Sequence, residues 1–162
     1  MVWFRSLLFQ GYFYASVCLH ALAIVVLFFM PYPFLFGIAK LWARGMLFVG
    51  KHLCGLDYVI EGRENIPEQP SVIMIKHTTA FETYAQIAVF PPQTWVLKRE
   101  LLWIPIFGWG LAAVKPIAIN RGAGHHAVQQ VIEKGNARLK DGIWVTIFPE
   151  GTRMPLGQTR RY

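Results

Sequence analysis

A histidine and a glutamate stand five positions apart in the stretch KHTTAFET, residues 76–83, directly after the apolar run 72–75. If the two side chains meet, His77 is a candidate general base, because an imidazole titrates near neutrality and can accept and return a proton. Glu82 would orient the ring and stabilise its charged form, as in a Ser-His-Asp triad whose nucleophile is a substrate hydroxyl. On spacing alone a capping box is the better interpretation, with Thr79 as the helix cap and Glu82 reaching back to its N–H.

A second candidate site lies in IFPEGTR, residues 147–153, where an apolar strand ends in a turn. The proline fixes the turn, and Gly151 lets the backbone approach a ligand closely. Arg153 is a candidate for bidentate phosphate binding. A tight turn held by an ion pair between Glu150 and Arg153 explains the stretch equally well. Arg121, after KPIAIN, is a second candidate phosphate contact, although a lone arginine after a strand is more often a solvated surface residue.

Alternating short strands and helices from position 56 onward are expected to position these residues. Short apolar or β-branched runs predict strands at 56–60, 72–75, 94–97, 116–119 and 143–148. Helices are predicted at 81–89, in parts of 100–113 and at 125–140. This alternation predicts an α/β fold with a mixed or parallel sheet flanked by helices. Because ligands bind at the carboxyl ends of strands in such sheets, both motifs and Arg121 are expected to meet at one pocket.

The chain is unusually apolar, and the apolar excess is concentrated in its first third. Hydrophobic residues make up 54% of the 162 residues, and the mean hydropathy is +0.37. Residues 12–30 are long and apolar enough for a membrane helix that Pro31 and Pro33 would end. The next segment has a basic stripe of Lys40, Arg44 and Lys51, which fits lipid headgroups. We therefore expect membrane-anchoring helices in 1–54 and an α/β domain in 55–162. A true span and a hairpin entering one leaflet are both open.

Charge and cysteine content narrow the partners and the compartment. Lysine and arginine follow the apolar run in excess, which predicts that the rest of the chain lies in the cytoplasm. The net charge of +7 calls for an acidic partner. With a predicted anchor and no nucleic-acid motif, lipid headgroups and phosphorylated substrates are favoured over nucleic acid. Cys18 and Cys54 are poorly placed to pair, and free thiols suit a reducing compartment.

Three motifs in order resemble the glycerolipid acyltransferase family, specifically the bacterial 1-acyl-glycerol-3-phosphate (lysophosphatidic acid) acyltransferases. They are His77 with an acid five residues on, KPIAINR ending at Arg121, and FPEGTR. The resemblance implies that His77 deprotonates the glycerol 2-hydroxyl, which attacks an acyl thioester of acyl carrier protein or coenzyme A, with Glu82 as its acidic partner. It also implies that no metal, cofactor or covalent acyl-enzyme is required. The substrate-binding residues that it implies are Arg121, Glu150, Gly151, Thr152 and Arg153.

The sequence departs from the family pattern in several places. Glu82 stands where aspartate is most frequent, Lys76 where asparagine commonly precedes the histidine, and Asn120 where an acid often precedes the arginine. Members usually continue well beyond FPEGTR, so we expect this chain to be a C-terminally truncated fragment. Exposed strand edges would make such a fragment less stable than a complete member.

The function expected from this resemblance is formation of phosphatidic acid at the cytoplasmic face of a bacterial inner membrane. Three alternatives are open. The chain is a non-catalytic remnant that binds lipid phosphate, an acyltransferase acting on another lysolipid, or a membrane-bound hydrolase with Thr78 or Thr79 as nucleophile. The hydrolase is the weakest of these, because threonine hydroxyls at this position serve better as helix caps.

Overall fold

The computed structural model describes residues 2–120, 122 and 124–159. Two long helices open the chain, and short strands alternate with helices after them. Arg121 lies outside the described residues, so its phosphate contact stays a prediction. The elements, in chain order, are α1 (Val2–Val26), α2 (Tyr32–Cys54), β1 (Val72–Met74), α3 (Phe81–Val89), β2 (Gln93–Lys98), α4 (Phe107–Ala113), β3 (Ile117–Ile119), α5 (His125–Lys140) and β4 (Trp144–Ile147).

Helices α1 and α2 form an antiparallel hairpin. A Cβ atom added at Gly45 would lie 2.8 Å from the Tyr12 hydroxyl. Further along α1, Trp42 Nε1 donates a hydrogen bond of 3.2 Å to Ser16 Oγ, and Ser16 Oγ lies 3.7 Å from Met46 Sδ. Residue numbers rise along one helix as they fall along the other, which defines the antiparallel arrangement. Close packing at glycine and a shared serine therefore hold the hairpin together.

Both hairpin helices are long and apolar enough to cross a membrane, judged by length and composition. α1 ends at Val26, four residues before the predicted end of the apolar span at position 30. Pro31 and Pro33 lie at the start of α2, where proline is favoured because the first helical N–H groups have no partner within the helix. Membrane crossing and insertion into one leaflet both stay predictions.

The predicted basic stripe on α2 is partly occupied by contacts within the protein. Lys40 Nζ donates a hydrogen bond of 3.2 Å to the Phe90 carbonyl, just after the end of α3. Lys51 Nζ pairs with Asp57 at 2.8 Å. Arg44, between them on the helix, is exposed. Two of the three cations therefore have protein partners, and the exposed Arg44 and Lys51 are both accessible to a headgroup.

The four strands form one parallel sheet in the order β1-β4-β2-β3. All carboxyl ends therefore lie at one edge, and the central β4 places its end beside that of β1. The predicted strand at 56–60 is wrong, because these residues form no strand. Their apolar side chains are exposed, with Val59 84% exposed. Apolar, β-branched composition predicted a strand there, but the segment does not pair with a sheet edge.

The hydrophobic core joins α2 to the α/β part of the chain. Phe36 and Met46 from α2 are almost fully buried and belong to the same cluster as Tyr84 from α3. The Phe36 ring stacks against Trp95 of β2 with centroids 6.5 Å apart. One face of α2 is thus covered by protein and not by solvent or lipid. The division into an anchor of 1–54 and a domain of 55–162 stays a prediction.

A buried polar network fixes the central strands against α3. Thr146 of β4 donates its hydroxyl to Gln93 Oε1 in β2, and Gln93 Nε2 donates to the Gln86 carbonyl at 3.0 Å. Tyr32 of α2 donates its hydroxyl to the Gln93 carbonyl at 2.6 Å. Gln93 and Thr146 are fully buried, so their polar groups need these partners. The network sets the positions of β2 and β4 relative to the helices that carry the site.

Candidate active site

His77 lies three residues after the end of β1, and the segment following β4 contacts its backbone on both sides. The N–H of His77 donates to Glu150 Oε2 at 3.2 Å. Its carbonyl accepts the N–H of Met154 at 2.8 Å. The imidazole also lies against the Phe148 ring, with centroids 4.5 Å apart. These contacts exist because β1 and β4 are neighbours, so the parallel order of the sheet determines where the histidine lies.

The imidazole contacts the carboxylate that the sequence predicted as its partner. His77 Nδ1 lies 2.9 Å from Glu82 Oε1, and each side chain is only 17% exposed. The same oxygen accepts the N–H groups of Thr78 and Thr79 at 2.5 and 2.6 Å. The other carboxylate oxygen accepts the Thr79 hydroxyl at 2.5 Å. Four donors therefore converge on one carboxylate and leave little freedom for its position.

The helix-capping interpretation and the active-site interpretation of KHTTAFET are compatible. Thr79 Oγ1 accepts the N–H of Phe81 at 3.0 Å, while Glu82 accepts the N–H of Thr79, as in a capping box. The helix itself begins at Phe81 with Ala80 as its N-cap, one residue later than the predicted cap. Glu82 thus stabilises the helix start and orients the imidazole at the same time.

The electrostatics of the pair determine the tautomer of the histidine. Burial alone would raise the pKa of the Glu82 carboxyl, but hydrogen bonds from Thr79 and His77 outweigh it and lower the pKa to about 2. An ionised carboxylate only accepts hydrogen bonds, so the ring nitrogen facing it must carry a proton. The tautomer is assigned from this network. In neutral His77, Nε2 is therefore the unprotonated nitrogen available as a base.

The His77 side chain lines a cavity of about 980 Å³. Most of its wall is apolar and comes from helices α1 to α5 and the sheet. Polar residues also line it, and three of them, Lys98, Thr152 and Arg153, are exposed at the surface. An apolar interior with a cationic entrance suits an amphipathic ligand with an anionic head. The apolar wall includes Phe13, Val17, Ala21, Ile24, Trp42, Ile87, Trp95, Leu97, Phe107, Leu111, Val114 and Phe148.

The residues of the second motif, 147–153, do not all line the cavity. Gly151 has a φ of 66°, in the left-handed region that favours glycine, and it lines the cavity with Thr152 and Arg153. Glu150 is only 4% exposed, and it contacts the His77 backbone. Within the described part of the chain, no ion pair joins Glu150 to Arg153. The alternative of a turn stapled by that ion pair is therefore not what holds this segment.

The sequence did not identify two contributors to the site. Lys98, at the end of β2, lines the cavity. The sequence feature that could have identified it is a cation directly after a predicted strand. α1 was predicted only as an anchor, yet His20, Ala21 and Ile24 form part of the cavity wall. His20 Nδ1 lies 2.8 Å from the Ser16 carbonyl. The sequence gives little indication of this role for α1, because the apolar pattern of a helix is the same whether the helix faces lipid or a cavity.

The fold and the site define a class: a parallel α/β protein with a histidine–carboxylate pair at the carboxyl edge of its sheet and a largely apolar cavity beside it. Residues 43–161 match the family model described as Acyltransferase. The chain belongs to the Acyltransferase family.

Relatives with similar sequences are named as acyltransferases. The chain is 46% identical over 121 residues to the 1-acyl-sn-glycerol-3-phosphate acyltransferase of Pseudomonas aeruginosa, a match covering 75% of this chain and 47% of that protein. It is 30% identical over 115 residues to the enzyme of the same name from Saccharomyces cerevisiae, covering 68% and 37%. This chain thus spans half or less of the length of these curated relatives.

A solved structure confirms the fold. The 1-acyl-sn-glycerophosphate (LPA) acyltransferase PlsC from Thermotoga maritima superposes with a TM-score of 0.75 at 22% sequence identity. The match covers 99% of this chain and 66% of that one. The likeness therefore includes the N-terminal hairpin as well as the sheet, and it supports the predicted α/β architecture with N-terminal helices.

Proposed function

We propose that this protein transfers a fatty acyl group from an acyl thioester to the 2-hydroxyl of lysophosphatidic acid, forming phosphatidic acid. The observation that carries the proposal is the His77–Glu82 pair, held at 2.9 Å, with the histidine lining an apolar cavity of about 980 Å³. A base positioned at such a cavity can activate a hydroxyl of a ligand whose chains lie in the apolar interior. The names of the relatives support the same acceptor.

The reaction needs one base and one returned proton. Nε2 of His77 takes the proton of the acceptor hydroxyl while the oxygen attacks the thioester carbonyl. The charged imidazolium is stabilised by the Glu82 carboxylate. The tetrahedral intermediate collapses with cleavage of the carbon–sulfur bond, and the thiolate leaves with the proton that the imidazolium returns. The products are an ester and a free thiol, so the histidine ends in its starting state.

Binding of the acceptor phosphate is proposed at the cavity entrance. Thr152 and Arg153 line it, and the guanidinium of arginine matches a phosphate in a bidentate geometry. Arg121 is proposed as a second phosphate ligand on the family resemblance alone. Lys98, also at the cavity, adds positive charge. The acyl donor is proposed to be acyl carrier protein or coenzyme A thioester.

We propose that the protein acts at the cytoplasmic face of a bacterial inner membrane. Two helices of membrane-spanning length and composition support membrane association, and the acceptor and product are themselves lipids. The excess of lysine and arginine after the first apolar helix supports the cytoplasmic side. α1 contributes both to the hairpin and to the cavity wall, so a lipid acceptor would have a short path from the bilayer to His77.

The hydrolase alternative receives less support from the site. The Thr79 hydroxyl donates to Glu82 and accepts from the Phe81 N–H. A hydroxyl engaged in both directions at a helix start is a cap and not an activated nucleophile. No contact places the Thr78 hydroxyl on His77 among the described hydrogen bonds. A substrate hydroxyl remains the better nucleophile for this base.

The test is acyl transfer by membranes that contain this chain, supplied with lysophosphatidic acid and acyl thioester. We expect phosphatidic acid from the unaltered chain and a loss of about 10²- to 10⁴-fold in His77→Ala, as for removal of a general base. His52→Ala is the matched control, because His52 is exposed near the end of α2.

Three results would contradict parts of the proposal. Equal activity of the His77→Ala and unaltered chains would show that His77 is not the base. If the chain binds lysophosphatidic acid but makes no product, while a longer chain with the relatives' C-terminal region does, the motifs belong to an enzyme that needs that region. A different lysolipid preferred in competition would change the acceptor and leave the chemistry unaltered.

A further inference from the structure

We propose that Glu150 is a positioning residue that acts through His77, and not a ligand of the acceptor phosphate. This inference rests on the proposed function, which makes His77 the general base. The family resemblance alone places Glu150 among the substrate-binding residues. The geometry points to a different role for this side chain within the same motif.

The carboxylate of Glu150 faces the protein interior. It is only 4% exposed and is absent from the cavity wall that includes its neighbours Gly151 and Thr152. Oε2 accepts the N–H of His77 at 3.2 Å. Oε1 is buried and, among the described residues, has no hydrogen-bond partner.

The contact matters because of what else holds the histidine. The Met154 N–H binds the His77 carbonyl at 2.8 Å, and the Phe148 ring lies against the imidazole. The segment 148–154 therefore holds His77 at its N–H, its carbonyl and its ring. Glu82 holds the fourth point, the Nδ1 atom. Of the contacts made by this segment, the one to the His77 N–H has a side chain as its acceptor, and that side chain is Glu150.

Loss of the Glu150 contact would free the peptide that joins β1 to His77. The imidazole is then oriented by Glu82 and the Phe148 ring on a less restrained backbone, and displacement of a catalytic group by about 1 Å costs about 10²-fold in rate. The same segment carries Thr152 and Arg153 at the cavity entrance. Binding of the acceptor and orientation of the base thus depend on one loop, which gives that loop a role in both steps.

The test compares Glu150→Gln with Glu150→Met in the full chain. Glutamine keeps an amide oxygen that can accept the His77 N–H, whereas methionine has similar length and no such acceptor. We expect Glu150→Gln to retain most of the unaltered kcat, and Glu150→Met to lose about 10²-fold in kcat with little change in the KM for lysophosphatidic acid. Arg153→Gln is the comparison, with its main loss in KM.

A second readout does not depend on activity. Ring signals of labelled histidine, assigned to His77 by their loss in His77→Ala, should shift in Glu150→Met and stay in place in Arg153→Gln. Thermal unfolding shows whether each variant is folded, and Glu150→Gln serves if the methionine variant is not.

The outcomes separate this inference from the proposed function. The inference is overturned if Glu150→Gln loses as much kcat as Glu150→Met, if the loss falls on KM, or if the His77 signals do not move. If the unaltered chain shows no acyl transfer while the His77 signals shift as expected, the proposed function fails and the positioning role stands.

Discussion

Replacing Glu82 with glutamine would separate the two jobs of this carboxylate. Oε1 accepts three N–H groups, from His77, Thr78 and Thr79, and an amide oxygen can keep all three. Oε2 accepts the Thr79 hydroxyl, which can instead accept from the amide NH₂ because a hydroxyl does both. The helix start and the orientation of the imidazole should therefore persist. What Glu82→Gln removes is the negative charge beside the imidazolium.

The size of the effect follows from the contact distance. Nδ1 and Oε1 are 2.9 Å apart, and charges centred about 4 Å apart interact by about 4 kcal/mol at an effective dielectric constant of 20. Both side chains are 17% exposed, so we reduce this to about 2 kcal/mol for solvent screening. At 1.36 kcal/mol per factor of ten, Glu82→Gln should lower kcat by about 30-fold.

The assay is steady-state acyl transfer in mixed micelles over a range of pH. Glu133→Gln is the control, because Glu133 is exposed on α5 and contacts only Gln129 among its described hydrogen bonds. Activity of Glu82→Gln as low as that of His77→Ala would refute the claim that orientation survives the change. Activity equal to the unaltered chain would refute the claim that the charge stabilises the imidazolium.

Three further changes test the packing and the pH dependence. Gly110→Ala should lower the free energy of unfolding by about 1–3 kcal/mol, since its Cβ would lie 2.8 Å from the α1 backbone; Gly37→Ala, with nothing within 4 Å, is the control for calorimetry. Thr146→Val leaves Gln93 Oε1 without its donor, which should cost about 1–3 kcal/mol in denaturant unfolding, and an unchanged midpoint would contradict the network. Because the pKa of Glu82 is lowered from 4.5 to about 2, its stabilising contribution is complete above pH 4.5 and is lost as pH falls to about 2. Thermal unfolding in that range should therefore show a smaller acid loss in Glu82→Gln.

Much of the α/β architecture was predictable because its signals are local. Helices α3 and α5 have the bounds predicted from their apolar spacing, and four of the five predicted strands exist. The failure at 56–60 has a physical reason: strand formation requires a partner edge, and composition does not report one. The surroundings of the two hairpin helices could not be predicted, because an apolar helix is compatible with lipid, with a protein core and with a cavity wall.

The sequence by itself determined the His77–Glu82 pair, since both residues lie in one strand–turn–helix segment whose spacing brings them together. It also determined the apolar hairpin helices and the turn at Gly151. The tertiary structure alone decided that β4 lies beside β1 and that Glu150 therefore faces the His77 backbone. It alone decided that α1 forms part of the cavity wall. These contacts join segments roughly 70 residues apart in the chain, and no local pattern encodes the order of strands in a sheet.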